Sequence, residues 1–191
     1  MKTIPDIKIK NPQEVAVGSV ILAQPFWQNE IYIRAVILIT DHDAGGSRGI
    51  IINKESTLHI KEALPEINAD DPLYFGGPIA ARVISYIHSI PEIPEADYLG
   101  NGLYFGGDPV SLEEMVNDHE VNFEKIKFCA GTVIWSAGQL DYEIKEKRWW
   151  VAELNASELF DSPAEKLWSL KLLQAGNQYG LFANVPDPSL N

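Results

Sequence analysis

Cysteine is almost missing from this sequence. Cys129 is the single one among 191 residues. No internal disulfide can form, and a cysteine-based metal site would lack its other ligands. The residue stands in the apolar run IKFCAGTVIW and reads as a small buried hydrophobe rather than a reactive thiol. Positive charge is also scarce: 15 Lys and Arg face 27 Asp and Glu, a formal net charge of −12. Proteins that grip nucleic acid neutralise phosphates with a basic face. The balance here disfavours direct nucleic-acid binding and anionic membrane surfaces alike, and Lys2, Lys8 and Lys10 read as a solvated arm. No run approaches the ~20 apolar residues of a membrane span. The opening MKTIPDIKIK has no apolar stretch of the secretory kind. The expectation is a soluble cytoplasmic protein.

The common catalytic motifs are absent as well. GNGLYF breaks the dinucleotide fingerprint, with Phe105 where a third glycine is needed. There is no G-x-x-x-x-G-K-[ST] phosphate loop, and WSAG around Ser136 is not a nucleophile elbow. His42, His59, His88 and His119 are scattered, without metal-ligand spacing. Asp41–Asp43, reading DHD, is the nearest thing to a ligand cluster, but Asp and His are common in turns. No metal or cofactor is expected.

What is present is apolar and aromatic. Hydrophobic residues make up 46% of the chain, with five Trp, seven Tyr and seven Phe, enough for a sizeable core. GSVILAQPF and IYIRAVILIT read as strands apolar on both faces, hence centrally buried, with WQNE bending the chain between them. The second is joined to GIIINK through the polar link DHDAGGSR, which predicts a wide hairpin. STLHIKEALPEI predicts a short helix capped by Ser56 or Thr57. DPLYF and ARVISYIHSI predict strands, and PEIPEADYLGNG a loop. Ser111 and Glu114 suggest a capping box, and KIKFCAGTVIW a strong strand. SAGQLDYEIKEKRWW reads as a helix with Glu143 and Lys147 as a supporting pair, and WWVAEL as a strand. A final helix is expected to start at Ser162-Pro163. Strands dominate the first half without a βαβ rhythm, so the fold class is α+β.

LYFGG occurs twice, at Leu73–Gly77 and Leu103–Gly107. The first copy runs into Pro78 and a strand, the second into Asp108-Pro109 and a capped helix. A duplicated unit would keep its downstream elements, so the copies read as two strand-end bends. A backbone amide nest for an anion is the sharper reading of either pair. Several polar residues sit in apolar surroundings and must find partners: Arg34, Asn53, Lys54, His88, Gln139 and Glu143.

In order along the chain, GSVILAQP, IYIRAVILITDHDAGGSRGIIINK, LYFGGP, ISYIH and GTVIWSAGQLDYEIKEKRWW resemble the AlgH/YqgE family of bacterial proteins. The last block is the most specific, with Gly131, Trp135, Gly138, Gln139, Leu140, Glu143 and Trp149 on the family pattern. The resemblance implies a single α+β domain over residues 15–182. Its mixed, bifurcated β-sheet would fold into a pseudo-barrel with flanking helices, between an N-terminal arm (1–14) and a loose tail (183–191). It implies a cytoplasmic bacterial protein and no particular reaction. Members are often labelled transcriptional regulators, but neither helix-turn-helix spacing nor the charge supports that label here. The resemblance favours Gly76–Gly77–Pro78 over Gly106–Gly107 as a nest, since only the former falls on a motif.

The expected function is a non-catalytic binding or regulatory module for an unknown protein partner or small anionic ligand. Its binding residues would be Arg34, Asn53, Lys54, Gly76, Gly77, Pro78, His88, Trp135, Gly138, Gln139 and Glu143. The alternative is an enzyme, a hydrolase, with His88, Glu143 and Lys54 as its reactive groups.

Overall fold

The computed structural model describes residues 15–26 and 29–184, except the side chains of residues 177 and 178. The expected arm, most of the expected tail, and Trp27 and Gln28 of the WQNE bend lie outside the described residues. The strands are β1 (Val20–Ala23), β2 (Val36–Asp43), β3 (Gly46–Ile51), β4 (Glu55–His59), β5 (Pro72–Phe75), β6 (Ile79–His88), β7 (Asp97–Gly100), β8 (Leu103–Phe105), β9 (Ile126–Ser136) and β10 (Trp149–Ala152). The helices are α1 (Ile60–Ala63), α2 (Pro109–Asn117), α3 (Gln139–Lys145), α4 (Ala156–Asp161), α5 (Leu167–Gln174) and α6 (Asn177–Ala183).

The sheet runs β10-β1-β2-β3-β9-β6-β8-β7. It forks along β9. The first half of β9 pairs antiparallel with β6 on one edge and parallel with β5 on the other; from Val133 onward it pairs with β3. The sheet is therefore mixed and bifurcated. It curls without closing: Gly18, just before β1, abuts the Leu99 carbonyl of β7. The Ala156 N–H also reaches the Asn101 carbonyl at 3.1 Å. Only glycine fits at position 18, where φ is +83° and any Cβ would strike that carbonyl.

Alternation along the central strands explains their burial on both faces. Val20 and Leu22 of β1, Val36 and Leu38 of β2, and Ile50 of β3 face one cluster, with Trp168 and Leu172 of α5. Ile21, Ile37, Ile39 and Ile51 face the opposite cluster, with Trp135, Leu140 and Trp149. A third cluster lies under α1 and α2, around Ile60, Leu112 and Phe128. With a period of two and both faces covered, such strands read as unbroken apolar runs.

Several local expectations are corrected. The apolar IYIR segment is not strand. Glu30–Tyr32 forms a 3-10 turn capped by Asn29, Arg34 takes φ +53°, and β2 starts only at Val36. The β2–β3 link is a tight turn rather than a wide one, because pairing continues through the exposed polar end to Asp43 opposite Gly46. The Gly45 N–H donates to Asp43 Oδ1 at 2.6 Å, closing that turn. Ser56 and Thr57 lie in β4; α1 starts after His59, whose N–H is taken by Glu62. The expected loop before Gly102 contains β7. Asp108, not Ser111, caps α2. Lys147 lies beyond α3 at φ +58°, so it does not support Glu143. A separate helix, α4, precedes Ser162-Pro163, and the turn at Ala164–Lys166 is 3-10 before α5 begins.

Candidate functional site

Glu143 is the centre of the most developed polar cluster. Its α3 is preceded by Gly138, held at φ +68° two residues after β9 ends. The bend turns α3 back over the sheet, so Glu143 faces inward between Trp135 of β9 and Trp149 of β10. Glu143 is 9% exposed. Oε2 accepts the Trp149 indole N–H at 2.7 Å and the Trp135 indole N–H at 3.0 Å. Oε1 accepts the Gln139 amide N–H at 3.0 Å, and Gln139 Oε1 in turn accepts the Ser136 main-chain N–H at 3.0 Å. The two indoles meet edge-on, with centroids 6.1 Å apart, and Tyr32 packs edge-on against Trp149. Burial, with the Glu143 charge adding to it, pushes the Tyr32 hydroxyl above its ordinary pKa.

A second knot fixes the entry to β2. Asn53 Oδ1 accepts the Val36 N–H at 2.8 Å, and Asn53 Nδ2 donates to the Arg34 carbonyl at 2.9 Å. One amide thus serves both sides of the left-handed Arg34 turn. Lys54 Nζ donates to the carbonyls of Ile31 at 2.8 Å and Glu30 at 3.3 Å, holding the 3-10 turn. The Arg34 guanidinium lies 5.2 Å from the Trp168 ring centroid, linking this turn to α5. Tyr32 belongs to this turn and touches Trp149, so the two knots adjoin.

Gly76, Gly77 and Pro78 form the fork itself. The Gly76 N–H donates to Ala130 O at 2.7 Å, and Gly76 O accepts the Ile51 N–H at 2.9 Å. A Cβ on Gly76 would strike the Gly131 carbonyl, and one on Gly77 the Thr132 backbone. The first LYFGG is thus a close crossing of backbones, with the Gly76 amide engaged in the sheet. At the second copy Gly106 faces open space, and the helix start beyond it is filled by the chain's own Asp108 carboxylate. Asp108 Oδ2 accepts the Ser111 N–H at 2.8 Å and the Ser111 hydroxyl at 2.6 Å. These bonds hold the Asp108 carboxyl below the usual range.

His88 lies apart from the others, on the β6–β8 wing. It is fully buried. Nε2 bonds the Gly106 carbonyl at 3.0 Å, Nδ1 accepts the Ile90 N–H at 3.2 Å, and Tyr104 stacks on the ring. Burial outweighs both hydrogen bonds and lowers its pKa, keeping the ring neutral. Its partners are main chain, which weighs against His88 as a general base.

The structure also joins His42 of the DHD stretch to two residues not singled out in the sequence, Ser47 and Asp141. His42 Nδ1 lies 2.8 Å from Ser47 Oγ across the β2–β3 hairpin, and His42 Nε2 lies 3.9 Å from Asp141 Oδ1 of α3. The order is Ser–His–Asp, but the His–Asp separation exceeds hydrogen-bond reach and Ser47 is only 8% exposed. Its signal was the DHD stretch; the tight turn that pairs position 42 with 47 was the missing step. Among the described residues, no group of three or more His, Cys, Asp or Glu could hold a metal ion.

A cavity of about 280 Å3 opens between β10 and helices α4 to α6. Trp150 and Tyr179 line it, edge-to-face with centroids 4.9 Å apart. Its polar lining includes Glu153, Asn155, Glu158, Lys171 and Gln174. Glu158 Oε1 accepts from Lys171 Nζ at 2.8 Å and Gln174 Nε2 at 2.9 Å, while Oε2 accepts the Asn155 N–H at 3.0 Å. Burial alone would raise the Glu158 pKa; the bonds from Lys171, Asn155 and Gln174 outweigh it and hold the carboxyl below its ordinary value. Lys171 is 7% exposed. Lys171 and Gln174 fall on the expected final helix, but nothing in the sequence announces α4, which brings Glu158 to them.

The forked mixed sheet with its flanking helices defines an α+β fold class. Residues 20–180 match the AlgH-like family, and the chain belongs to that family. A UPF0301 protein of Parabacteroides distasonis is 33% identical over 180 residues, 91% of this chain and 90% of the relative. Another, of Chlorobium luteolum, is 30% identical over 182 residues, 94% and 96% of the two chains. The crystal structure of protein DIP2367 from Corynebacterium diphtheriae shares the fold with a TM-score of 0.76, 23% identity, and coverage of 90% of this chain and 93% of that one. The solution structure of AlgH from Pseudomonas aeruginosa does so with a TM-score of 0.70, 21% identity, and coverage of 97% and 98%. Among the described residues, no helix is long and apolar enough to cross a membrane.

Proposed function

We propose that this protein is a non-catalytic binding module of regulatory type, acting through a protein partner or small ligand rather than by gripping DNA directly. The observation that carries this reading is the engagement of the Glu143 carboxylate by Trp135, Trp149 and Gln139. A general acid or base needs a reacting atom within hydrogen-bond reach. Here both carboxylate oxygens already face internal donors. Arg34, Asn53, Lys54, Gly76, Gly77, Pro78 and Gly138 act in this reading by fixing the backbone around that clasp, and the β10 cavity is the place of capture. The net charge of −12 supports a partner other than DNA.

The test is retention. Purified protein is mixed with a bacterial metabolite extract, gel-filtered, and the retained small molecules are identified by mass spectrometry. Parallel pull-downs compare wild type with Asn53→Ala and Gln139→Ala. A retained ligand, or a partner lost in both variants, supports the reading; turnover of simple esters or phosphoesters by the pure protein contradicts it.

A hydrolase is the second reading, favoured by the 2.8 Å contact between Ser47 and His42. It requires a fluorophosphonate probe to label Ser47 and His42→Ala to abolish that labelling. No labelling removes it.

A further inference from the structure

The polar lining of the β10 cavity has a definite chemistry. Lys171 and Gln174 stand three residues apart on α5 and so share one face. Lys171 Nζ gives one of its three N–H donors to Glu158 at 2.8 Å. Gln174 gives an amide N–H to the same oxygen at 2.9 Å, which leaves its carbonyl as an acceptor. The cavity therefore offers a buried donor and, beside it at the solvent-exposed rim, an acceptor. The Lys171 charge is matched by Glu158, and Glu153, the other carboxylate on the wall, is exposed to solvent. An ionic ligand would bring an unbalanced charge into a site whose lysine is 93% buried, at the cost of desolvation. Trp150 and Tyr179 also line the cavity and present aromatic surface suited to a flat ring.

We infer that this cavity takes an uncharged aromatic carboxamide, or a small molecule of the same pattern: a ring against Trp150 and a carbonyl-plus-N–H head against Lys171 and Gln174. The inference rests on the binding-module reading and names the ligand class of its cavity. A carboxamide carries one acceptor and one donor group, matching the pair on α5. Glu158 acts as a positioning residue, since it holds both α5 side chains.

The full chain, labelled with nitrogen-15, is titrated with benzamide, benzoate and benzylamine, following the Trp150 indole resonance. Benzamide is expected to shift it saturably, with affinity about tenfold better than either charged probe. Removing one neutral hydrogen bond is worth about tenfold in binding, so Gln174→Leu is expected to weaken benzamide by about that factor and leave the charged probes unchanged. Ala175→Phe, on the cavity wall, fills the space and is expected to abolish the shift while the far-ultraviolet spectrum stays native. Equal response to all three probes overturns the carboxamide assignment, as does no response to any. Metabolite retention by wild type without a benzamide response would leave the binding-module reading standing while this inference falls.

Discussion

Trp149 donates its indole N–H to Glu143 over 2.7 Å, and the same carboxylate oxygen takes the Trp135 indole at 3.0 Å. Removing that acceptor leaves buried donors unpaired. Each unsatisfied buried group costs about 1–3 kcal/mol, so Glu143→Ala is expected to destabilise the fold by about 3–5 kcal/mol. Glu143→Gln keeps one carbonyl oxygen and is expected to lose about 1–2 kcal/mol. Urea unfolding measures both. A double-mutant cycle between Glu143→Gln and Trp149→Phe is expected to show about 1 kcal/mol of coupling.

Asn53 bridges the Val36 N–H and the Arg34 carbonyl, so it needs both a donor and an acceptor. Asn53→Asp keeps the acceptor but turns a carboxylate oxygen toward a carbonyl. It is expected to cost at least as much as Asn53→Ala, about 2–3 kcal/mol, in the same unfolding measurement.

The two LYFGG copies separate by mutation. Gly77→Ala meets the Thr132 backbone at φ +153°, whereas Gly106→Ala meets open space at φ +65°. The first is expected to prevent folding or cost more than about 3 kcal/mol, the second only about 1 kcal/mol, the price of the left-handed conformation. Soluble yield and thermal melting distinguish them.

That contrast also shows what was legible beforehand. The α+β class, the forked sheet, the strand at Ile126–Ser136 and the α3 start at Gln139 followed from apolar runs, caps and the family resemblance. The Glu143 clasp did not, because it joins Trp135 and Trp149 across a bend that no periodicity encodes. IYIR misled for a physical reason. Its apolar residues pack from a 3-10 turn, and the Lys54 ammonium and Asn53 amide hold that turn from 20 residues or so downstream. Short-range pattern cannot weigh such a distant hydrogen bond against β propensity. The hairpin error had the opposite cause: pairing persisted through exposed Asp41, Asp43 and Arg48, where polarity alone suggested a loop.

His88 makes stability depend on pH. Its folded pKa lies below the ordinary 6.5, chiefly through burial. Below that value the unfolded chain binds the proton and the folded chain resists it, so the stability it contributes is present above pH 6.5 and is lost as pH falls through the lowered pKa. The urea midpoint of wild type is expected to drop on acidification below pH 6.5, and His88→Gln to flatten that slope while lowering stability overall. An unchanged slope would assign the effect to other groups.

Hydrogen exchange of the Trp135 and Trp149 indole N–H groups tests most directly whether Glu143 is a closed brace rather than a reactive group. Protection of both, approaching that of global unfolding and lost together in Glu143→Ala, is the predicted result. Exchange of either indole at the rate of a solvent-exposed tryptophan would contradict the account.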